Sequence, residues 1–259
     1  MSQEPDTDYL DRQRLDGRVA LVTGAAAGIG RATAEALAQL GARVAVTDAD
    51  ADGAVSVAAA IERAEGHRLD VTDGDQVRDV VEAILRSHGR IDILVNNAGI
   101  GARVPTTELP DDRWERAMDV GPAGSFRCAR EVGRYMVNAR QGAVVNVASI
   151  MGLVGGAHYP NLAYHTAKGA IVNFTRALAI EWAPYGIRVN AVAPTFVRTA
   201  FTEPLLRDEE MAAKLLAATP LARFVEPDEV AAAILFLVGD AASMITGHVL
   251  PVDGGWLAQ

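Results

Sequence analysis

The stretch from Val19 to Asp48 constrains this chain more than any other: V-A-L-V-T-G-A-A-A-G-I-G-R-A-T-A-E-A-L-A-Q-L-G-A-R-V-A-V-T-D. Val19, Ala20, Leu21 and Val22 form a continuous apolar run, the pattern of a parallel strand covered on both faces. Gly24, Gly28 and Gly30 mark a turn into a helix with apolar positions at Ile29, Ala32, Ala36, Leu37 and Leu40. Gly41 ends that helix, and Arg43 to Asp48 reads as a second strand closing on a carboxylate. Glycines let the backbone approach a pyrophosphate, and a helix N-terminus offers unpaired N–H groups and the positive end of a dipole. A glycine turn alone also serves as a plain strand–helix connection. With a strand before it, a helix after it and an acid about 20 residues on, it reads as a dinucleotide site.

The rest of the chain sets the frame for that unit. Half of the 259 residues are hydrophobic, enough for a sizeable core. The balance of 24 Lys plus Arg against 33 Asp plus Glu gives a net charge of -9. Nucleic acid and anionic membrane both need a basic face, so neither is expected as a partner. The single cysteine, Cys128, cannot form an intrachain disulfide and fits a reducing compartment. Residues 1–14 are polar and acidic, with no apolar stretch for a signal peptide or anchor. They are expected to be a mobile tail. No later apolar run approaches the ~20 residues that span a bilayer, and a cytoplasmic location is expected.

After the opening unit, helices are expected at about 52–64 and 73–88, with a short strand near His67–Val71 between them. Ile91 to Val95 reads as a fourth strand running into Asn96-Asn97-Ala98-Gly99, and residues 111–139 as one long helix. Ala143–Ala148, Ile187–Ala193 and His248–Val252 read as further strands, with helices near 163–183 and 228–238. Strands alternating with helices, without a composition break, predict one doubly wound α/β domain over residues 15–259. In such a sheet, ligands bind beyond the carboxyl ends of the strands. Asp48, Asp70, Asn97, Ser149 and Pro194–Thr199 all follow apolar strand runs.

Asp48 is placed to accept both ribose hydroxyls of an adenosine and to repel a 2′-phosphate. Neither Ala49 nor Ala27 supplies a cation for such a phosphate, so NAD is expected over NADP. The bland alternative is a solvated strand-end acid. Asp70 can accept from an adenine amino group, or serve a helix cap before Asp73. Tyr164 and Lys168 are four apart and share a helix face. A lysine cation one turn away stabilises a phenolate and draws the tyrosine toward a working pKa. Ser149 can then hold a carbonyl or hydroxyl oxygen against the Tyr164 hydroxyl. The alternative is an amphipathic helix whose Tyr and Lys merely meet solvent. Tyr159 is a weaker rival acid/base, since no lysine follows it by four. The five histidines show no metal-ligand spacing, and no metal is expected. His158 and His165 read as a loop and a helix-surface residue. No His–Asp pattern accompanies Ser149, so a hydrolase triad is unsupported.

From about Leu15 to Trp256 the chain resembles the short-chain dehydrogenase/reductase family. The resemblance is carried by Thr23-Gly24-x-x-x-Gly28-Ile29-Gly30, Asp70-Val71, Asn96-Asn97-Ala98-Gly99, Ser149, Tyr164-x-x-x-Lys168, Asn190 and Pro194 through Thr199. It implies a Rossmann-like, seven-stranded parallel sheet flanked by helices, usually in a homotetramer, moving hydride between a nicotinamide and a secondary alcohol or ketone. By resemblance, Tyr164 is the general acid/base, Lys168 lowers its pKa and binds the nicotinamide ribose, and Ser149 orients substrate. Ile29 and the glycine turn face the pyrophosphate, Val71, Asn97 and Gly99 border the cofactor, and Pro194, Val197 and Thr199 hold the carboxamide end.

Three departures stand out. Val120-Gly121-Pro122-Ala123-Gly124-Ser125-Phe126 puts Gly121 where the family usually has an asparagine that helps hold a relay water. Pro122 removes a backbone donor and predicts a kink in the long helix. Thr195 replaces the glycine that usually follows Pro194, adding a side chain near the nicotinamide. Ser149 and Tyr164 lie 15 residues apart, a slightly longer interval than usual, with the excess around His158-Tyr159-Pro160. The expected pocket wall (Met151, Gly152, Leu153, His158, Tyr159, Phe196 and residues 200–218) suits a small polyol, sugar acid, cyclic alcohol or 3-hydroxyacyl compound. The favoured substrate is a small polar secondary alcohol. The alternatives are an NAD-binding regulatory or scaffold protein with weakened turnover, motivated by Gly121, and a 3-oxoacyl-thioester reductase.

Overall fold

The computed structural model describes residues 9–156 and 158–259. Seven parallel strands form one sheet in the order β3-β2-β1-β4-β5-β6-β7. They are β1 (Val19–Thr23), β2 (Arg43–Asp48), β3 (Ala64–Arg68), β4 (Ile93–Asn96), β5 (Gly142–Val147), β6 (Ile187–Pro194) and β7 (Val249–Val252). The order reverses between β1 and β4, which pair in register as Leu21 with Leu94. That reversal opens a crevice at the strands' carboxyl ends, and the functional residues sit there.

Helices cover both faces, which is why the central strands are apolar throughout rather than alternating. Leu37 of α1 (Gly28–Gln39), Val57 of α2 (Ala51–Ala59) and Ile234 of α7 (Pro227–Val238) pack with Val22, Val46 and Val145 on one side. On the other, Ile84 of α3 (Gly74–His88), Val132 and Met136 of α5 (Gly124–Ala139) and Trp182 of α6 (Leu162–Trp182) pack with Leu21, Leu94 and Val144. Sequence signals set the ends of these helices. Asp73 caps α3 by accepting from the backbone N–H groups of Asp75 and Gln76, and Gly89 closes it in the left-handed conformation at φ 72°.

Two expectations are corrected. The third strand lies at Ala64–Arg68, three residues before the expected His67–Val71. It is a half-exposed edge strand, A-E-G-H-R, paired with β2 so that Asp48 meets Arg68. Leu69 and Val71 are buried, but in the segment that leaves the strand. Their apolarity reports the cleft wall rather than sheet pairing. The expected single helix over 111–139 is two, α4 (Asp111–Met118) and α5, joined by a π-helical turn over Asp119–Ala123. Gly121 and Pro122 fall in that turn, where the missing proline N–H predicts the distortion. Of the expected N-terminal tail, residues 1–8 lie outside those described. Asp11–Gln13 form a short 3-10 turn, and Leu15 is fully buried.

Candidate active site

The glycine turn builds one end of the crevice. Gly24 and Gly28 have φ of +63° and +55°, which side-chain-bearing residues rarely adopt. Gly30 is needed for closeness instead: a Cβ there would lie 2.3 Å from the Gly24 carbonyl oxygen and 2.6 Å from Asn97 Nδ2. The Asn97 amide donates to the carbonyls of Thr23 (3.0 Å) and Gly24 (2.8 Å), clamping the turn to the end of β4. Asp48, the last residue of β2, borders the same cleft. Its Oδ2 accepts from the Ala26 N–H and its Oδ1 from the Asp50 N–H, each at 3.0 Å. Those bonds fix the carboxylate's direction and leave each oxygen a further lone pair.

Asp70 does not cap α3; Asp73 does. Asp70 Oδ1 accepts from the Thr72 N–H (3.0 Å) and hydroxyl (2.7 Å), while Arg116 lies 3.8 Å from Oδ2. Burial works against its ionisation, but the Thr72 bonds and Arg116 outweigh it and hold Asp70 below the usual carboxylate value. Val71 packs where a Cβ on Gly124 would lie 2.6 Å from its Cγ2. The cleft bordered by Gly28, Asp48, Asp70 and Val71 continues into a second cavity, the two sharing Ile29, Asn97, Gly99, Thr199 and Phe201.

That second cavity brings together Ser149, Tyr164 and Lys168 with Pro194, Thr195 and Val197. Ser149 follows β5; its hydroxyl accepts from the Met151 N–H at 3.1 Å and donates to the Pro194 carbonyl at 3.5 Å. Tyr164 and Lys168 lie in the first turns of α6, and Lys168 Nζ stands 5.6 Å from the Tyr164 ring centroid. Lys168 is only 6 % exposed and donates to the Val147 carbonyl at 2.6 Å. Burial lowers its pKa to about 8. Tyr164 is half-buried as a residue, with its hydroxyl end enclosed. Burial raises its pKa to about 12 despite Ser149, which acts to lower it. In this structure, burial therefore opposes the lowering expected from the lysine.

Thr199 packs its Cγ2 3.1 Å from where a Cβ on Gly28 would be, and its N–H donates to Thr202 Oγ1 at 3.2 Å. The Val197 carbonyl accepts from the Thr202 hydroxyl. Thr195 Oγ1 is buried without a hydrogen-bond partner. Gly121 sits against α6, where a Cβ would meet Ala167 Cβ at an ordinary 3.5 Å. Of the expected pocket wall, Met151, Tyr159, Phe196, Phe201 and Thr202 border the cavity. His158 instead stacks edge-on against Trp256 at 5.3 Å, and His165 Nδ1 meets the Asn161 carbonyl at 2.8 Å.

Two contributors were not foreseen. Asn161, 3 % exposed, accepts from the Ala102 N–H at 3.2 Å and ties the loop after β4 to the start of α6. Arg103, on that loop, donates to the Phe201 carbonyl at 2.8 Å. The available signal was its place just beyond a strand's carboxyl end at the switch point.

Known proteins resemble this chain over nearly its whole length. A family described as enoyl-(acyl carrier protein) reductase matches residues 24–257. Galactitol 2-dehydrogenase of Rhizobium johnstonii is 43 % identical over 257 residues, covering 96 % of this chain and 98 % of that protein. A short-chain type dehydrogenase/reductase from Mycobacterium marinum superposes with a TM-score of 0.93 at 36 % identity, covering 97 % of this chain and 100 % of the other. The chain belongs to the short-chain dehydrogenase/reductase family. It is accordingly an oxidoreductase of a family that binds a nicotinamide cofactor. Another relative in structure is a gluconate 5-dehydrogenase from Burkholderia cenocepacia, in complex with NADP and tartrate. Its TM-score is 0.92 at 34 % identity, over 97 % of this chain and 100 % of the other.

Proposed function

We propose that this protein interconverts a small polar secondary alcohol and its ketone using NAD(H), with Ser149, Tyr164 and Lys168 as catalytic residues. The observation that carries the reading is the enclosure of those three side chains in one cavity continuous with the Asp48 cleft. Tyr164 takes the carbinol proton in oxidation and returns it in reduction. Ser149, in the same cavity, holds the substrate oxygen against it. Lys168, fixed by the Val147 carbonyl, supplies positive charge behind the phenol and a donor for the nicotinamide ribose. The nicotinamide, when bound, supplies the hydride acceptor or donor and, in its oxidised form, a further positive charge.

Gly24, Gly28, Ile29 and Gly30 fit the pyrophosphate, since the glycines let the backbone at the helix N-terminus come close to it. Asp48, Asp70, Val71, Asn97 and Gly99 border the adenosine and ribose, and Pro194, Val197 and Thr199 the carboxamide. Asp48 favours NAD, although the Burkholderia relative is in complex with NADP. The one cation bordering this cleft among the described residues, Arg116, lies by Asp70. The galactitol relative supports a polyol-like substrate; a 3-oxoacyl-[acyl-carrier-protein] reductase of Thermotoga maritima, 41 % identical over 249 residues, keeps a 3-oxoacyl thioester as the competing one. An apolar groove on α5 and α6, with Phe126 49 % exposed, supports assembly as a homotetramer. The lone, buried Cys128 fits the cytoplasm.

The test follows NADH formation by the purified protein over a panel of secondary alcohols and a 3-hydroxyacyl thioester. The expected result is turnover of a small polar alcohol that Tyr164→Phe lowers by about 10²- to 10⁴-fold. Background rates in both proteins, despite tight NADH binding, would instead favour the binding-protein reading that Gly121 motivates.

A further inference from the structure

We propose that Arg103 anchors a carboxylate at the mouth of the catalytic cavity, so that the secondary alcohol this protein takes is a hydroxy acid. The proposal rests on the dehydrogenase reading above and adds the substrate's charge to it. Arg103 stands on the loop between β4 and α4, which Asn161 draws against α6 through the Ala102 N–H. Its guanidinium carbon lies 5.2 Å from the Phe201 ring centroid and 5.8 Å from that of Tyr159. Both rings border the cavity that holds Ser149 and Tyr164.

The guanidinium is short of partners. Nη2 donates to the Phe201 carbonyl, and the Tyr159 ring lies beside the guanidinium. Nε is buried with no acceptor, and no carboxylate among the described residues pairs with Arg103. In a chain of 33 acidic and 24 basic residues, a cation held against two rings of the cavity wall without an acidic partner among the described residues is a specific arrangement. Burying an unmatched guanidinium donor is unfavourable unless something completes it. A strap that merely held the Phe201 loop would need only the carbonyl bond and the ring contacts. A carboxylate at the cavity mouth would take the Nη donors that the Phe201 carbonyl leaves free, with the Tyr159 hydroxyl available as an additional donor. Tyr159 stays protonated for that purpose, because burial raises its pKa more than Arg103 lowers it. A phosphate dianion fits less well, since Lys168, the other cation at the cavity, is committed to the Val147 carbonyl.

The placement also limits the substrate's shape. Phe201 packs against both groups, its ring centroid 5.8 Å from that of Tyr164 and 5.2 Å from the Arg103 guanidinium carbon. The carbinol and the carboxylate therefore stand several bonds apart, as in a sugar acid or a ring-hydroxylated cyclic acid, and not adjacent as in a 2-hydroxy acid.

The experiment compares kcat/KM with NAD for matched pairs: an aldonate against its alditol, and 4-hydroxycyclohexanecarboxylate against its carboxamide. Wild type, Arg103→Lys and Arg103→Met are assayed, with NADH binding as the folding control. The wild type is expected to prefer an acid to its neutral partner by at least about tenfold. Arg103→Met should bring that ratio near one, chiefly through KM, with Arg103→Lys in between. A ratio unchanged in Arg103→Met, or a wild-type preference for neutral partners, overturns the anchor. Calorimetry of the same acids on the NADH complex separates the two proposals. If no panel member turns over, the dehydrogenase reading fails, while acid binding that Arg103→Met abolishes still supports the anchor. Absent or equal binding overturns it.

Discussion

Replacing Lys168 with methionine removes a cation from a site where the chain holds it against solvation. Its pKa falls from 10.5 to about 8 on burial, and each unit is worth about 1.4 kcal/mol. The charged lysine therefore weakens the fold by about 3 kcal/mol at neutral pH. Methionine keeps the length and apolar stem but forfeits the bond to Val147, worth about 1 kcal/mol. The expected net gain is about 2 kcal/mol at pH 7, or roughly 4–8 °C in Tm for a chain of this size. The sign with pH follows from proton binding. Between about pH 8 and 10.5 the unfolded chain holds the lysine proton more tightly, so wild-type stability rises with pH there. Tyr164 runs the other way: its contribution is complete below its unfolded value of 10.0 and is lost as pH rises through about 12. Thermal melts of both proteins between pH 6 and about 9.5 isolate the lysine. The variant should melt higher below pH 8, and the gap should narrow above it, while kcat falls by about 10²- to 10⁴-fold. A variant that melts lower than wild type at pH 7, or a gap indifferent to pH, refutes the reasoning.

Asp48→Ala should raise KM for NAD by roughly 10- to 100-fold and move the NAD-to-NADP preference toward NADP, because two ribose bonds and a repulsive charge go together. A wild type that already uses NADP better would sink the assignment. Gly121→Asn is expected to leave kcat unchanged or raise it, since the new Cβ meets only Ala167 Cβ at 3.5 Å. A sharp loss in steady-state turnover would show that the Gly-Pro turn is itself adapted to the site.

The features legible in the sequence were those written in local chemistry. Buried strands such as Val19–Val22 announce themselves as apolar runs, and the glycine turn and Asp48 follow at fixed offsets. The edge strand did not, because A-E-G-H-R takes its conformation from pairing with β2 and not from its own composition. Leu69 and Val71, the more apolar residues, drew the expectation past it. The break in the 111–139 segment was legible at Pro122, but its π form depends on how Gly121 and Gly124 seat against Ala167 and Val71. Ser149, Tyr164 and Lys168 converge as their strand and helix positions imply. Arg103 carried only its place beyond a strand's carboxyl end, since its partners Phe201 and Tyr159 lie far along the chain.

The two ends of the cavity are held by different means. Asn96 Nδ2 donates to Asn146 Oδ1 at 2.9 Å, Asn146 Nδ2 to the Thr175 hydroxyl at 2.9 Å, and that hydroxyl to the Ile171 carbonyl at 2.8 Å. This chain of buried polar bonds locks α6 to β4 and β5 in one register. A slip of one residue along α6 would leave those amides unpaired and turn Tyr164 about 100° away from Ser149. Such bonds add little net stability, so their use lies in fixing the catalytic geometry. The substrate end rests on two loop contacts, Ala102 to Asn161 and Arg103 to Phe201. Neither passes through the sheet. Substitutions there can therefore alter which alcohol enters while Tyr164 and Lys168 keep their places, and it is in those loops that substrate preference should be re-engineered.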